Sequence, residues 1–293
     1  MKVLVTGGTG FIGSRVVHAL RAEDRAVRVL VRNPGRARQL ESWGAEAAPG
    51  EIGDAESLRR AVDGCTHVVH LVAIIQGRPQ DFDRVMTAGT ASLLDAAKSA
   101  GVERFVHMSA LGTTPDGAVP YYRAKWAMEQ AVAASGLAYT TFRPSFVFGA
   151  GGALPTFVKQ VRYAPVVTVI GNGRQRSQPI WVDDVAAYVT RALDAEQAVN
   201  RTFELGGPDV VDWNELYALI AKLLGKRRAF VHVPFAVARA GALATQWLPG
   251  APLHVDQVTM LQGADNVVSD PAATEVFGLP LVPLAEQIRR VVG

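Results

Sequence analysis

Tyr121 and Lys125, in the run Tyr121-Tyr122-Arg123-Ala124-Lys125, are four positions apart. On a helix that spacing puts them one turn apart on one face. A phenol with a pKa of about 10 is a weak acid-base group at neutral pH, and a neighbouring ammonium lowers that value by stabilising the phenolate. A tyrosine tuned in this way donates a proton to a carbonyl being reduced, or removes one from an alcohol being oxidised. The lysine has a second use, as a hydrogen-bond donor to a ribose. The spacing is common on solvated helices, so its meaning depends on the elements that carry it.

The second chemical feature lies at the start of the chain. Thr6-Gly7-Gly8-Thr9-Gly10-Phe11-Ile12-Gly13 follows the apolar run Val3-Leu4-Val5 and opens a helical pattern from Phe11 to Arg21. Gly7 allows a tight turn, Gly10 lets the backbone approach a pyrophosphate, and Gly13 lets the helix pack closely. Gly7, Thr9, Gly10, Phe11, Ile12 and Gly13 are therefore the expected phosphate contacts, with the free amides and partial positive charge of the helix start facing the anion. The next apolar run, Val27 to Val31, ends in Arg32 rather than in the carboxylate that would accept bonds from a ribose 2′-hydroxyl. A guanidinium there suits a 2′-phosphate, so the expected cofactor is NADP(H) in preference to NAD(H). Arg36 and Arg38 follow closely.

These residues need a scaffold, and the pattern supplies one. Strand-like runs at Val3–Val5, Val27–Val31, Thr66–Val72, Arg104–Met108 and Ala138–Phe142 alternate with helical patterns. The helices are expected at Phe11–Arg21, Asp54–Val62 with Asp54 as N-cap, Phe82–Ser99 and Tyr121–Ala134. Such alternation predicts a doubly wound α/β Rossmann fold with a parallel sheet covered on both faces. After Pro144 the rhythm changes. Residues 1–150 are read as the NADP(H)-binding domain. Residues 151–293 are read as a smaller mixed α/β substrate lobe, with some segments returning to the first sheet. Helical patterns in this lobe run Asp183–Leu193, Trp213–Leu224, Pro234–Trp247 and Leu284–Val292, and Thr202–Leu205 is a short strand.

With the turn, the pair and their order in view, the chain resembles an extended or atypical short-chain dehydrogenase/reductase, of the NAD-dependent epimerase/dehydratase group. The similarity continues through Leu71-Val72-Ala73, Arg143-Pro144, Val147-Phe148-Gly149, Trp181-Val182-Asp183-Asp184-Val185 and Leu205-Gly206-Gly207-Pro208. Ser109-Ala110-Leu111-Gly112, Tyr122-Arg123-Ala124-Lys125 and Asp265-Asn266-Val267-Val268 resemble more narrowly the branch of the mitochondrial complex I NADPH-binding accessory subunit and its bacterial relatives. The resemblance implies Tyr121, Lys125 and Ser109 as catalytic residues. It implies further cofactor contacts at Glu51 and Ile52 near the adenine, at Leu71, Val72 and Ala73, and at Pro144, Ser145 and Val147 near the nicotinamide.

The chain departs from the family at two of four catalytic roles. Met86 falls where the family has Asn, and a thioether relays no proton. Ala110 falls at the usual serine, leaving Ser109, Thr113 or Thr114 as donors. His107 shares a strand face with Ser109 and is read as a packed histidine. Three readings follow. The first is an oxidoreductase of a carbonyl or alcohol, with a lipophilic substrate suggested by the apolar stretch Ala229–Leu248. The second is a non-catalytic NADPH-binding structural or redox-sensing module. The third is a nucleotide-sugar epimerase or dehydratase, for which Arg174, Arg176, Arg227 and Arg228 are the candidate diphosphate ligands.

Bulk properties narrow the field. The chain has 293 residues and a formal net charge of +3, with no basic run of five or six, so no nucleic-acid partner is expected. Cys65 is the only cysteine, which excludes an internal disulfide and fits a reducing compartment. No signal peptide or uninterrupted apolar stretch of about 18 residues is read, so a cytoplasmic protein without a transmembrane segment is expected. No metal is expected. His67 and His70, three apart on a strand, point to opposite faces, and Asp183-Asp184 is read as a helix cap. The Phe230–Leu248 segment leaves two readings open: core of the lobe, or a lipophilic pocket, lid or membrane-surface contact.

Overall fold

The computed structural model describes residues 1–247 and 253–292. It falls into two units: Met1–Pro144 with Val182–Leu205 and Ser269–Pro280, and Ser145–Trp181 with Gly206–Val268 and Leu281–Gly293.

The first unit is built on a seven-stranded sheet. Its first six strands are β1 (Lys2–Thr6), β2 (Ala26–Val31), β3 (Glu46–Pro49), β4 (His67–His70), β5 (Arg104–Met108) and β6 (Tyr139–Pro144). The order is β3-β2-β1-β4-β5-β6, every pairing is parallel, and the strand Arg201–Leu205 adds to the far edge beside β6. This is the doubly wound Rossmann arrangement, whose order reverses between β1 and β4. The expected lobe strand Thr202–Leu205 thus lies in the main sheet. β4 and β5 are buried at every position, with Val68-Val69 and Phe105-Val106 at their centres and His67, His70, Arg104 and His107 buried around them. β3 had no such signal: Glu46-Ala47-Ala48-Pro49 is an edge strand with half-buried alanines.

The helices that cover the sheet include α1 (Phe11–Ala22), α2 (Arg38–Ser42), α3 (Ala55–Val62), α4 (Pro79–Phe82), α5 (Gly89–Ser99) and α6 (Pro120–Ala134). Asp54 caps α3 by accepting from Glu56 N at 3.0 Å. The helix expected from Phe82 to Ser99 is not regular: Asp83–Ala88 is a π-helical segment between α4 and α5. Leu4, Leu58, Val68, Leu93 and Phe105 form the centre of the core on this side of the sheet. Asp183 and Asp184 lie inside a helix instead of preceding it. The helix begins at Val182, so both lie in its first turn, and Asp183 pairs with Arg15 of α1.

The second unit contains short parallel and antiparallel pairings and the helices Leu154–Tyr163, Trp213–Leu223, Phe235–Thr245, Val255–Gln262 and Leu284–Val292. Phe146, Phe148, Phe157 and Trp213 pack edge-to-face around its centre. The Phe235–Thr245 helix is not core: only Ala238 and Ala242 along it are buried. Leu248 lies outside the described residues. No described helix is long and apolar enough to cross a membrane.

Candidate functional site

Parallel strands bring their carboxyl ends to one edge of the sheet, and the register aligns them there. Thr6 lies opposite Leu30 and His70, His70 opposite His107, and Met108 opposite Phe142. Along this edge the chain leaves β1 into the glycine turn, β2 into Arg32, β3 into Glu51-Ile52, β4 into Leu71-Val72-Ala73, and β5 into Ser109. It leaves β6 through Pro144. Ser145 and Val147 belong to the second unit.

The turn is shaped by three differently constrained glycines. Gly7 has φ +76°, and a Cβ there would stand 2.9 Å from the Leu71 carbonyl carbon. A Cβ on Gly13 would stand 2.1 Å from Gly7 O and 2.7 Å from Gly8 Cα, so only glycine lets the first helical turn close onto the loop. At Gly10 a Cβ would meet only Gly7 O, at 3.1 Å, and otherwise project into open space. α1 has no side-chain cap and no acidic residue in its first turn; its first backbone bond is Ser14 N to Gly10 O at 3.0 Å. The amides of Phe11, Ile12 and Gly13 therefore precede the helix's own acceptors. A cradle open at Gly10, with the positive end of a helix dipole beneath it, fits a pyrophosphate.

Arg32, Arg36 and Arg38 are exposed, and none makes an ion pair among the described residues. Glu51 is exposed, whereas Ile52 is buried in the core, its side chain filling the space that a Cβ on Gly89 would enter. The Leu71-Val72 backbone lies against Gly7, and Leu71 N donates to Thr6 O at 3.1 Å.

Tyr121 and Lys125 occupy the first two turns of α6, which Pro120 starts with its fixed φ. Lys125 is fully buried, and its Nζ donates to Met108 O at 2.6 Å and stands 5.9 Å from the centre of the Tyr121 ring. Burial pushes Lys125 down to about 7, against a smaller opposing pull from Glu129. Glu129 is held by Arg143 through two bonds, Nε at 2.9 Å and Nη2 at 2.5 Å. The phenol of Tyr121 is raised well above its ordinary value by burial, with a further contribution from Tyr122. The expected lowering of this phenol by the ammonium is thus reversed in this structure. Both groups are desolvated, and the lysine's hydrogen bond goes to a backbone carbonyl rather than to the phenol.

Ser109 is buried, its Oγ 3.4 Å from Thr113 Oγ1, which itself donates to Ala110 O at 2.6 Å. Ala110 is half-buried and Thr114 exposed. Met86 sits fully buried in the π-helical segment and packs with Phe82, Ala124 and Met128, with Tyr121 against the same cluster. An apolar wall therefore stands where a carboxamide was sought. π segments are frequent beside functional sites because they re-aim one turn of a helix.

Sequence reasoning missed the polar core behind this edge. His70 accepts or donates at both ring nitrogens, to Thr6 Oγ1 at 2.7 Å and Thr90 Oγ1 at 3.0 Å, and Thr90 donates to Met86 O at 2.5 Å. Burial holds His70 neutral, down to about 3. His107 stacks on it with ring centres 5.6 Å apart, and both His107 nitrogens are buried without a partner. The other histidine of β4, His67, is engaged by Thr66 at 2.8 Å. Spacing signalled none of these pairings, because the partners come from β1, β4, β5 and α5. In the second unit Asn266 is a hub. Ser145 Oγ lies 2.6 Å from its Oδ1 and 2.8 Å from its main-chain oxygen, and Gln178 N donates to that same oxygen.

The arginines considered for a diphosphate divide sharply. Arg176 is paired with Asp265, and Arg228 donates to the carbonyls of Val161 and Arg162. Arg227 is exposed, and Arg174 lines an open depression with His232 and Phe235.

The profile of the NAD dependent epimerase/dehydratase family matches residues 3–206. The chain is 29% identical over 265 residues to the 4-hydroxy-2-methyl-3-oxo-4-farnesyl-3,4-dihydroquinoline-1-oxide ketoreductase of Stigmatella aurantiaca, covering 83% of this chain and 79% of that one. It is 29% identical over 300 residues to the mitochondrial NADH dehydrogenase (ubiquinone) 1 alpha subcomplex subunit 9 of Arabidopsis thaliana, covering 95% and 73%. Among solved structures, the UDP-glucose 4-epimerase of Thermotoga maritima with UDP-glucose superposes with a TM-score of 0.80 at 24% identity, covering 100% and 97%.

Proposed function

Because the chain belongs to the NAD dependent epimerase/dehydratase family, and so to the NAD(P)-binding short-chain dehydrogenase/reductase fold, we propose that it binds NADP(H) and reduces the carbonyl group of a lipophilic substrate. The observation that carries the reading is the half-buried Tyr121, in the first turn of α6 after β5 of a parallel sheet whose first turn is open to a pyrophosphate. Reduced dinucleotide supplies the hydride when bound. Tyr121 supplies the proton to the oxygen of the carbonyl as it becomes an alcohol. Lys125 holds the start of α6 against β5 through Met108 O and orients Tyr121. Ser109 or Thr113 polarises the substrate oxygen.

The preference for the 2′-phosphate rests on Arg32, exposed and, among the described residues, free of carboxylate partners, one residue past β2. A charge-assisted bond contributes about 1.5–3 kcal/mol. Arg32→Ala is therefore expected to weaken NADPH roughly tenfold to a hundredfold by calorimetry while leaving NADH unchanged. Equal losses for the two cofactors would refute the assignment. The lipophilic substrate is supported by the farnesyl-bearing substrate that the name of the Stigmatella ketoreductase carries.

The test is turnover. Tyr121→Phe should retain NADPH binding and abolish carbonyl reduction across a panel of isoprenoid and quinone-like ketones. A second reading, a non-catalytic NADPH-holding module, is favoured by the buried Met86 and by the inward-turned Ser109 hydroxyl. It prevails if NADPH binds tightly, no panel member is reduced, and Tyr121→Phe leaves the cellular role intact. Epimerisation of a nucleotide sugar is disfavoured by the engagement of Arg176 and Arg228 in internal contacts.

A further inference from the structure

We propose that the Phe235–Thr245 helix, with Trp247 just beyond it, seats the protein on an anionic phospholipid surface. The inference is independent of the catalytic reading. On this helix Ala238 and Ala242 are buried against Val258, while Val237 is 59% and Leu243 55% exposed, alongside exposed Ala236, Ala240 and Ala244. Trp247 is 75% exposed, yet its indole N–H already donates to Ala244 O at 2.8 Å, so the ring presents an apolar face with its polar atom satisfied. Val231, 49% exposed in the strand leading to the helix, is apolar as well. Arg239 is the one charged residue of the helix, and its long stem suits a head group lying above an apolar layer.

Charge selects the occupant. Residues 216–255 contain five basic side chains, Lys222, Lys226, Arg227, Arg228 and Arg239, and no Asp or Glu. The whole chain carries 30 basic and 27 acidic residues, so everything outside this stretch has 25 and 27, a net of −2. Lys222, Lys226, Arg227 and Arg239 are exposed. A second copy would bring two like-charged stretches together. An anionic bilayer instead meets apolar side chains with its acyl boundary and basic ones with its head groups. A helix of 11 residues rises about 16 Å, roughly half a hydrocarbon core, so it lies in the interface and does not span.

The test is sedimentation of the full-length protein with vesicles of phosphatidylcholine and phosphatidylglycerol, and with phosphatidylcholine alone. The expected result is association with the anionic vesicles that falls as salt is raised. Leu243→Glu with Trp247→Glu, at exposed positions, should weaken that association at least about tenfold, as should Lys226→Glu with Arg227→Glu. Circular dichroism and dinucleotide binding should be unchanged in both variants. Three results would overturn the proposal: equal binding to neutral and anionic vesicles, no loss in either double variant, or a dimer by sedimentation velocity that Leu243→Glu dissociates.

Discussion

Lys125 Nζ donates to Met108 O at 2.6 Å, tying the second turn of α6 to the last residue of β5. An ammonium sealed away from water needs an acceptor, and a strand-end carbonyl is what the fold offers. The bond leaves Lys125 Nζ 5.9 Å from the centre of the Tyr121 ring.

Burial holds Lys125 at about 7, far below its ordinary value. Between that pH and about 10 the unfolded chain holds a proton that the native chain has released, so stability rises with pH across this window. The cost of burying the charge is fully present below pH 7. Above about 10 the trend reverses, because the raised Tyr121 phenol keeps a proton that the unfolded chain loses. Urea unfolding at pH 6, 8 and 9.5 should show stability climbing by up to about 1 kcal/mol per pH unit, and Lys125→Met should flatten the curve.

Gly10 and Gly13 should fail differently. Gly13→Ala drives a Cβ into Gly7 O and should cost about 3 kcal/mol of stability, read by thermal or chemical unfolding. Gly10→Ala meets little within the protein and should leave stability within about 1 kcal/mol. Its effect should be on dinucleotide affinity, which titration calorimetry would find reduced by an order of magnitude or more.

Met86→Asn introduces the side-chain type that the family resemblance implies near this position, and places an amide in an apolar cluster with Phe82, Met128 and Tyr121. Burying that group without partners should cost about 1–3 kcal/mol. Turnover should not increase. A variant that is both as stable as the parent and faster would show that a polar path through the π-helical segment exists.

Asn266→Ala removes the Oδ1 that accepts from Ser145 Oγ and leaves the main-chain oxygen at 2.8 Å as the remaining acceptor. Losing one of two part-buried acceptors predicts about 1 kcal/mol of destabilisation or less, read by urea unfolding. Asn266→Asp, which keeps the accepting oxygen, should recover much of that loss.

Local pattern carried the fold because the doubly wound arrangement writes itself in short-range signals. Buried parallel strands announce themselves by short apolar runs, Val3-Leu4-Val5 in β1 and Val29-Leu30-Val31 in β2, and the glycine turn must sit between β1 and α1 for the chain to reverse. The spacing of Gly7, Gly10 and Gly13, and the placement of Arg32 after β2, are covalent facts of the chain. β3 escaped notice because an edge strand of small residues lacks that signal, and the π-helical turn at Asp83–Ala88 escaped because hydrophobic period does not resolve one extra residue. Tertiary structure alone decided the electrostatics: whether Lys125 would meet the phenol or Met108 O, and that His70, Thr6 and Thr90 would form one network. Those outcomes depend on desolvation and on partners 17 to 64 residues away, and neither quantity exists until the chain has packed.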